Sequence, residues 1–462
     1  MATIVSDYTA LLSGTSWLPD KGQPIILTYS FSTSAAPGVR NDRPNAVASF
    51  SPLTEAEKNI VRAGLQEWSG VSGVIFIETY QNEGDLTFGA YNLDLIYGRN
   101  VSGLSGYPSV AGSRNEAGGY VASSYGDGRD GFSGDVMIDR DVRLDVAGEL
   151  QFRTVVTHEI GHILGLKHPF DGDIRLHRDL DNGEHTVMSY NQAGDGGIAH
   201  LDIDAVRVLY GDESAKERLH WSWDAGSETL YQWGSVGSEF IRGTSANDVI
   251  DTGGGRDGVW AGAGNDRVIA YDQPVSASGG AGFDVFVTGL AHAAVTLSGN
   301  IDSFVIVPAD RQASADWPGQ VLESFERIAF SDGTLALDVR GSAGQAYRLY
   351  QAAFDRTPDT VGLNYWVDVL DAGNGLQYVA DRFIDSREFA LLYGKDVSNA
   401  GFVDSLYRNI LGRDGDTGGI AFWNEQLDSG QRSRTDVLIG FSESDENVVG
   451  VAPTVEHGIW LG

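Results

Sequence analysis

The stretch "THEIGHILGLKHPF", Thr157 to Phe170, sets three histidines and one glutamate into a segment that otherwise reads as an apolar helix. Residues four apart share a helix face, so His158 and His162 can offer two imidazole nitrogens to one ion. Glu159 lies beside that face, within reach of a water on the same ion. Gly165 lets the helix end and the chain turn, and His168 returns after the turn as a third ligand. Three protein ligands leave one coordination position open, which marks a catalytic rather than a structural site. Three imidazoles suit zinc, and also cobalt or nickel. Such an ion brings the pKa of a water toward neutrality, and Glu159 is placed to take its proton. A bare H-E-x-x-H is a weak signal; Gly165 and His168 extend it to H-E-x-x-H-x-x-G-x-x-H. Downstream, "HTVMSYN" (185–191) supplies the turn that the extended motif calls for, with Met188 beneath the metal and Tyr190 two residues on. Met occurs three times in the chain, so its position carries information.

Working outward, residues 1–212 read as one α/β unit. "SPLTEAEKNIVRAGLQEWSG" (51–70) predicts a helix with Ser51 as its cap, Pro52 in the first turn and Glu55 early. Ile60, Val61, Leu65 and Trp68 recur at helical spacing. "VIFIETY" (74–80), "DLTFGAY" (85–91) and "GDVMID" (134–139) predict strands. The Gly/Ser/Asn-rich stretch 98–132 predicts loops, with "NVSGLSGYPS" (100–109) a candidate edge for an added peptide strand. "LDIDAVRVLYG" (201–211) predicts a closing helix.

From residue 241 a period of nine appears. Asp248, Asp257, Asp266 and Asp284 share one register, and Val275 occupies the skipped position in a degenerate copy. Gly253, Gly255, Gly262, Gly264, Gly280 and Gly282 precede them, and Ile250, Val259, Val268 and Phe286 follow two residues after each Asp. Glycines permit tight turns, aspartates supply hard oxygen ligands and the apolar residues fill a core. Residues 288–340 alternate apolar and polar and read as a β-rich continuation. From 345 the pattern turns helical and repeats at an offset of 57: "LYQAAFDRTPDTVGLNYW" (349–366) matches "LYRNILGRDGDTGGIAFW" (406–423). Trp366 and Trp423 predict core anchors, and Asp414 and Asp416 predict helix caps.

The 462 residues carry a formal net charge of -32, which disfavours nucleic acid and anionic membrane as partners. No stretch approaches the roughly 20 apolar residues of a membrane helix, so membrane insertion is not expected. There is no cysteine, hence no disulfide. No basic region followed by an apolar run opens the chain, so an ordinary secretory signal is not expected.

On "HEIGHILGLKH", Pro169 and "TVMSY", the chain resembles the metzincin metalloproteases, and within them the serralysin group. "DYTALLSGTSW" (7–17), "LTYSF" (27–31), "SPLTEAEK" (51–58), "LTFG" (86–89), "SGDVMID" (133–139) and "LYG" (209–211) extend the likeness over most of 7–212. The resemblance implies a secreted zinc endopeptidase acting on protein or peptide substrates. His158, His162 and His168 would bind one zinc and Glu159 would be the general base. Tyr190 would be an extra zinc ligand that moves away to bond the tetrahedral intermediate. The chain departs from the group in a short stretch before "DYTALLSG" and a short one between His168 and Met188. The nine-residue repeats resemble RTX calcium-binding β-rolls. That likeness implies 18 residues per coil, with Asp248, Asp266 and Asp284 stacked on one side. Asp257 would stack against Val275 on the other, where calcium would bind poorly, or once with help from a loop residue such as Asp272, for about two to four calcium ions in all. It also implies export without a cleaved signal by type I secretion machinery, to the medium or the cell surface. The tandem helical units resemble a C-terminal domain of unknown function found in RTX and surface-layer-associated proteins, so a cell-surface or surface-layer partner through 341–462 is a further expectation. The expected architecture is therefore multidomain: an α/β metzincin catalytic domain (1–212), a linker and parallel β-roll with β-rich extension (213–340), and an all-α module of two repeats with the export region (341–462). The alternative is a surface-attached binding or layer-associated protein whose protease domain is a dedicated processing enzyme or silent.

Overall fold

A computed structural model describes the chain except residues 1, 36–46, 82, 98–100, 109–111, 115–119, 123–133, 192–194 and 312–318. Much of the predicted loop stretch 98–132 and both ends of 100–109 lie outside the described residues. The backbone divides into two compact units, Met1–Phe286 with Ala313–Ser324, and Val287–Gln312 with Phe325–Gly462.

The first unit begins with a mixed sheet. Its strands are β1 (Ile25–Phe31), β2 (Val74–Glu78), β3 (Leu86–Tyr91), β4 (Gly103–Ser105) and β5 (Asp135–Asp139), in the spatial order β2-β1-β3-β5-β4. All pairs are parallel except β4 with β5, where Gly103 faces Ile138 and Ser105 faces Val136. Parallel strands are covered on both faces and read as near-continuous apolar runs; "IILTYSF" and "DVMID" do so, and β5 is buried throughout.

Three helices cover this sheet: α1 (Glu55–Val71), α2 (Glu149–Ile163) and α3 (His200–Tyr210). The start of α1 differs from the sequence reading. Thr54, not Ser51, is the cap, in a reciprocal capping box with Glu57. Ser51 instead pairs by its backbone with Ala90 and accepts a hydrogen bond from Arg143 through its hydroxyl. Helix α2 turns Phe152, Val156, Ile160 and Ile163 into a core that also holds Trp17, Leu65, Trp68, Phe88 and Tyr210. Each fully buried large apolar side chain there contributes about 1.5–3 kcal/mol. Trp68 and Trp17 further donate their indole N–H groups to the carbonyls of Thr157 and Ile163, which fixes the helix along its length.

The roll follows in the same unit: β6 (His220–Asp224), β7 (Thr229–Trp233), β8 (Phe240–Arg242), β9 (Asn247–Asp251), β10 (Asp257–Ala263), β11 (Arg267–Tyr271), β12 (Val275–Ala281) and β13 (Gln320–Glu323). Strands β7, β9 and β11 pair in parallel on one face, and β8, β10, β12 and β13 on the other. Thr229 faces Asn247, Ile250 faces Val268 and Asp257 faces Val275, so the coil is 18 residues. The roll starts at β7, before the first legible repeat. All six glycines singled out in the repeats have positive φ. At Gly262 and Gly280 an added Cβ would also run into the carbonyls of Thr244 and Gly262, one coil back.

Arg242 joins the roll to the sheet. Its guanidinium lies between the rings of Trp17 and Trp260, 4.9 and 4.7 Å from their centroids, and pairs with Asp85 at 2.9 Å, both side chains buried. Asp85 also accepts from the backbone N–H and hydroxyl of Thr28 on β1.

The second unit combines the antiparallel pair Val295–Asn300 and Ser303–Pro308, the pair Arg327–Phe330 and Gly333–Ala336, and helices from Ser342 to Val455. Its two repeats are built alike. Asp359 and Asp416 cap equivalent helices through Gly362 and Gly419, and Arg356–Glu388 and Arg413–Glu446 are equivalent ion pairs. Asp414 caps nothing; it pairs with Arg408. Trp366 and Trp423 are half-buried and pack on Phe383 and Phe441. The strand Ile459–Trp460 pairs with Leu335 and Ala336.

The fold class read from the sequence holds: an α/β metzincin-like sheet domain, a parallel β-roll and an all-α C-terminal region. Among the described residues no helix is long and apolar enough to cross a membrane.

Candidate metal centre

The last turns of α2 place His158 and His162 on one face. The helix then closes in a Schellman arrangement: Leu166 N–H bonds to Gly161 O at 3.0 Å and Gly165 N–H to His162 O at 2.9 Å. Gly165 is required twice, by its φ of 96° and because a Cβ would stand 2.5 Å from the Thr15 carbonyl. That turn presents Leu166 O to His162 and brings His168 back over the helix.

Each ring is held by its Nδ1. His158 Nδ1 bonds to Val187 O at 2.8 Å, His162 Nδ1 to Leu166 O at 2.7 Å and His168 Nδ1 to Asp171 Oδ2 at 2.8 Å. With Nδ1 donating to an oxygen in each case, the neutral tautomer leaves every Nε2 as a lone pair. Those lone pairs converge: His168 Nε2 stands 3.2 Å from His158 Nε2 and 3.1 Å from His162 Nε2. Three acceptors face one another with no proton to share, an arrangement that a cation between them would relieve. The spacing is close to the roughly 3.3 Å edge of a tetrahedron with metal–nitrogen bonds near 2.0 Å. The donor set therefore fits zinc. Burial holds His158 down to about 4 and His162 well below its ordinary range, so both stay neutral and fit to ligate.

Glu159 is buried beside them, and burial pushes its carboxyl up to about 7, opposed by a 2.7 Å hydrogen bond from the Ser105 hydroxyl on β4. Met188 is fully buried under the helix, and a Cβ on Gly161 would stand 2.5 Å from its sulfur. Tyr190 lies at the exposed rim, its ring 4.6 Å from that of His168 and 5.8 Å from that of His158. Tyr107 stands edge-on to His162 at 5.6 Å.

Several residues here escaped the sequence reading. Asp202, at the start of α3, accepts from Thr186 Oγ1 and from the N–H groups of Val187 and Ala199, and so pins the turn that carries Met188. Burial raises its carboxyl to about 6. An Asp at the third position of a helix was the one available signal. Asp171 and Ser105 had none, because neither belongs to the spaced motif.

In the roll, the carboxylates form ladders at the 18-residue spacing. Asp266 Oδ1 accepts from Asp248 N–H at 2.8 Å, and Asp284 Oδ1 from Asp266 N–H at 2.9 Å. Asp257 Oδ1 accepts from Glu239 N–H at 2.9 Å. One oxygen each of Asp248, Asp257 and Asp266 is buried without a hydrogen-bond partner. Burial pushes Asp257 up to about 7, with the Glu239 charge adding to it; burial and then the charges of Asp248 and Asp284 hold Asp266 well above its ordinary range. Buried carboxylates short of partners are a cation's donor set, and they fit calcium. Val275 does pair with Asp257, but the acidic partner is Glu239, one coil earlier, while exposed Asp272 accepts from Gln273 instead.

Comparison with known proteins bears on all three regions. Residues 47–211 match the matrixin family model, 233–268 the RTX calcium-binding nonapeptide repeat, and 380–450 a domain of unknown function, DUF4214. Metallopeptidase AprA of Pseudomonas marginalis is 29% identical over 272 residues, 54% of this chain and 50% of that protein. Serralysin of Photorhabdus laumondii subsp. laumondii is 26% identical over 254 residues, 51% of this chain and 48% of that protein. Serralysin G of Dickeya chrysanthemi is 30% identical over 217 residues, 42% of each. The chain thus spans about half the length of the curated relatives it matches. With the histidine cluster, these matches identify zinc and calcium as the cofactors.

Proposed function

We propose, on the premise that the chain carries a serralysin-type metzincin domain followed by RTX repeats, that it is a secreted zinc-dependent endopeptidase with Glu159 as general base. One observation carries this reading: three imidazole Nε2 atoms converge, each ring tied back through Nδ1, beside a buried carboxylate. A zinc ion held there would supply Lewis-acid polarisation of the scissile carbonyl and a water acidic enough to attack near neutral pH. His158, His162 and His168 hold the ion as neutral ligands. Glu159 takes the proton of the attacking water and passes it to the leaving amine nitrogen. A carboxyl raised to about 7 suits both halves of that exchange. Tyr190 would be a further ligand when the ion is bound, and from the rim its phenol O–H would donate to the oxyanion developing on the substrate. Met188 supports the helix from beneath. The peptide adds as a strand along β4, the outer strand of the described sheet.

Asp248, Asp266 and Asp284 enclose two calcium positions between coils, and Asp257 with Glu239 a third. The turn glycines Gly253, Gly255, Gly262, Gly264, Gly280 and Gly282 give the backbone approach those positions need. Calcium makes the roll fold outside the cell, after type I export of the unfolded chain. Functionally we divide the chain into protease (1–212), roll with its extension (213–340) and helical module (341–462).

The test is digestion of casein in zinc and calcium by the wild type and by Glu159→Ala, with a chelator control. Cleavage by the wild type that is lost in the variant and in chelator supports the reading. A zinc-loaded wild type that cuts nothing overturns it in favour of a narrow processing enzyme or a binding protein.

A further inference from the structure

The carboxylate of Glu159 is gripped by the strand along which the substrate is proposed to lie. Residues 103 and 105 point to one face of β4 and 104 to the other. Leu104 packs with Tyr91 and Met137, away from the site. On the opposite face a Cβ at Gly103 would stand 2.5 Å from Glu159 Oε1 and 2.8 Å from its Cγ, so the carboxylate lies directly against that backbone. Two residues on, Ser105 Oγ is 2.7 Å from Glu159 Oε2 and 3.1 Å from the Glu159 carbonyl oxygen. Among the described residues, no other hydrogen bond is made to that carboxylate.

We propose that Ser105 is a positioning residue for hydrolysis: its hydroxyl fixes the Glu159 carboxylate in one orientation, from the strand that seats the peptide. A glutamate has three rotatable bonds, and a general base must hold its oxygen within hydrogen-bond reach of the proton it takes. Gly103 closes one side of the carboxylate and the Ser105 O–H anchors the other oxygen. The hydroxyl carries one proton and has two acceptors on the same residue. It therefore stays bonded to Glu159 when the carboxylate is charged and, by turning to the carbonyl, when the carboxyl has taken its proton. The donor acts only through Glu159, so its loss should appear in kcat and not in KM.

The assignment rests on the protease reading, and the experiment separates the two. Full-length wild type, Ser105→Ala and Ser105→Thr, loaded with zinc and calcium, would be assayed on an internally quenched peptide that the wild type cuts. Zinc content and melting temperature would be measured alongside. A hydrogen bond to a charged group corresponds to about a 10- to 100-fold effect. We expect kcat of Ser105→Ala to fall by that factor with KM within about twofold, and Ser105→Thr to recover most of it. A second readout needs no turnover: affinity for a peptide phosphinate should fall in Ser105→Ala, yet Ser105→Ala should change nothing further in a Glu159→Gln background. Ser105→Ala at full kcat, a loss that follows KM or zinc content, or additive effects in the double variant would each overturn the assignment. A wild type that binds zinc but cuts nothing and ignores the phosphinate would remove the protease reading and this assignment with it.

Discussion

The histidine cluster and the aspartate ladders, both proposed as metal sites within one compact unit, are built on opposite physical terms. At the histidines, His158 and His162 are buried and His168 half-buried, and each ring is held from behind by an oxygen of Val187, Leu166 or Asp171. The core under α2 and the closing turn at Gly165 hold the rings from behind, while the facing Nε2 lone pairs call for a cation between them. In the roll, the proposed ligands are buried carboxylates stacked at one coil's spacing, and Asp248, Asp257 and Asp266 each keep one oxygen without a hydrogen-bond partner. Burying like charges without a counter-ion is unfavourable by several kcal/mol each. That contrast predicts that zinc enters a site already held by the fold, whereas calcium completes the fold.

The largest expected effect that could break this contrast is the response of the roll to pH. Asp257 sits near 7 in the folded chain, against an ordinary value of about 4. A raised carboxyl favours the folded state fully below the ordinary value, and that contribution is lost as pH rises through the folded one. Calcium-free protein should therefore melt at progressively lower temperature from about pH 4 to pH 8. Saturating calcium should abolish or reverse the trend, because the ion takes the place of the protons. Equal slopes with and without calcium would mean the carboxylates are not its ligands.

Next in size is the connection between the two regions. Arg242→Ala leaves Asp85 buried without its cation and empties the slot between Trp17 and Trp260. A loss of about 3–5 kcal/mol is expected in urea unfolding. Calcium protection of the sheet domain against proteolysis should shrink with it; unchanged protection would show that the roll does not support the sheet through this contact. The smallest effect sharpens the zinc side. Gly161→Ala drives a methyl against Met188 Sδ, an overpacking of about 1–3 kcal/mol. It should lower the melting temperature and weaken zinc retention in a competitive chelator titration. Retention equal to wild type would show that the Met188 turn does not set ligand geometry.

How much of this was legible in the chain follows the range of the interactions. The histidine motif, the Met188 turn and the nine-residue register are local patterns, and their residues stand where spacing placed them. So do β2, β3 and β5, whose apolar runs need no partner to be recognised; β1 was not read as a strand. What escaped depends on contacts between distant segments. Ser105 reaches Glu159 across 54 positions, Arg242 reaches Asp85 across 157, and Asp202 reaches Thr186 only because a turn folds back. The first coil escaped because Leu230, Ser235 and Glu239 stand where the next coil carries Asp248, Gly253 and Asp257. The cap of α1 was misplaced because Ser51 and Thr54 are both good caps, and the choice belongs to Glu57, which closes its box with Thr54.

The most direct test of the contrast is hydrogen exchange on the full-length protein with zinc and calcium removed separately. Zinc removal is predicted to leave α2, residues 149–163, protected, and to alter exchange only near 166–171 and 185–191. Calcium removal is predicted to open residues 229–286 as a block. Loss of protection in α2 without zinc, or a roll that stays protected without calcium, would contradict the account.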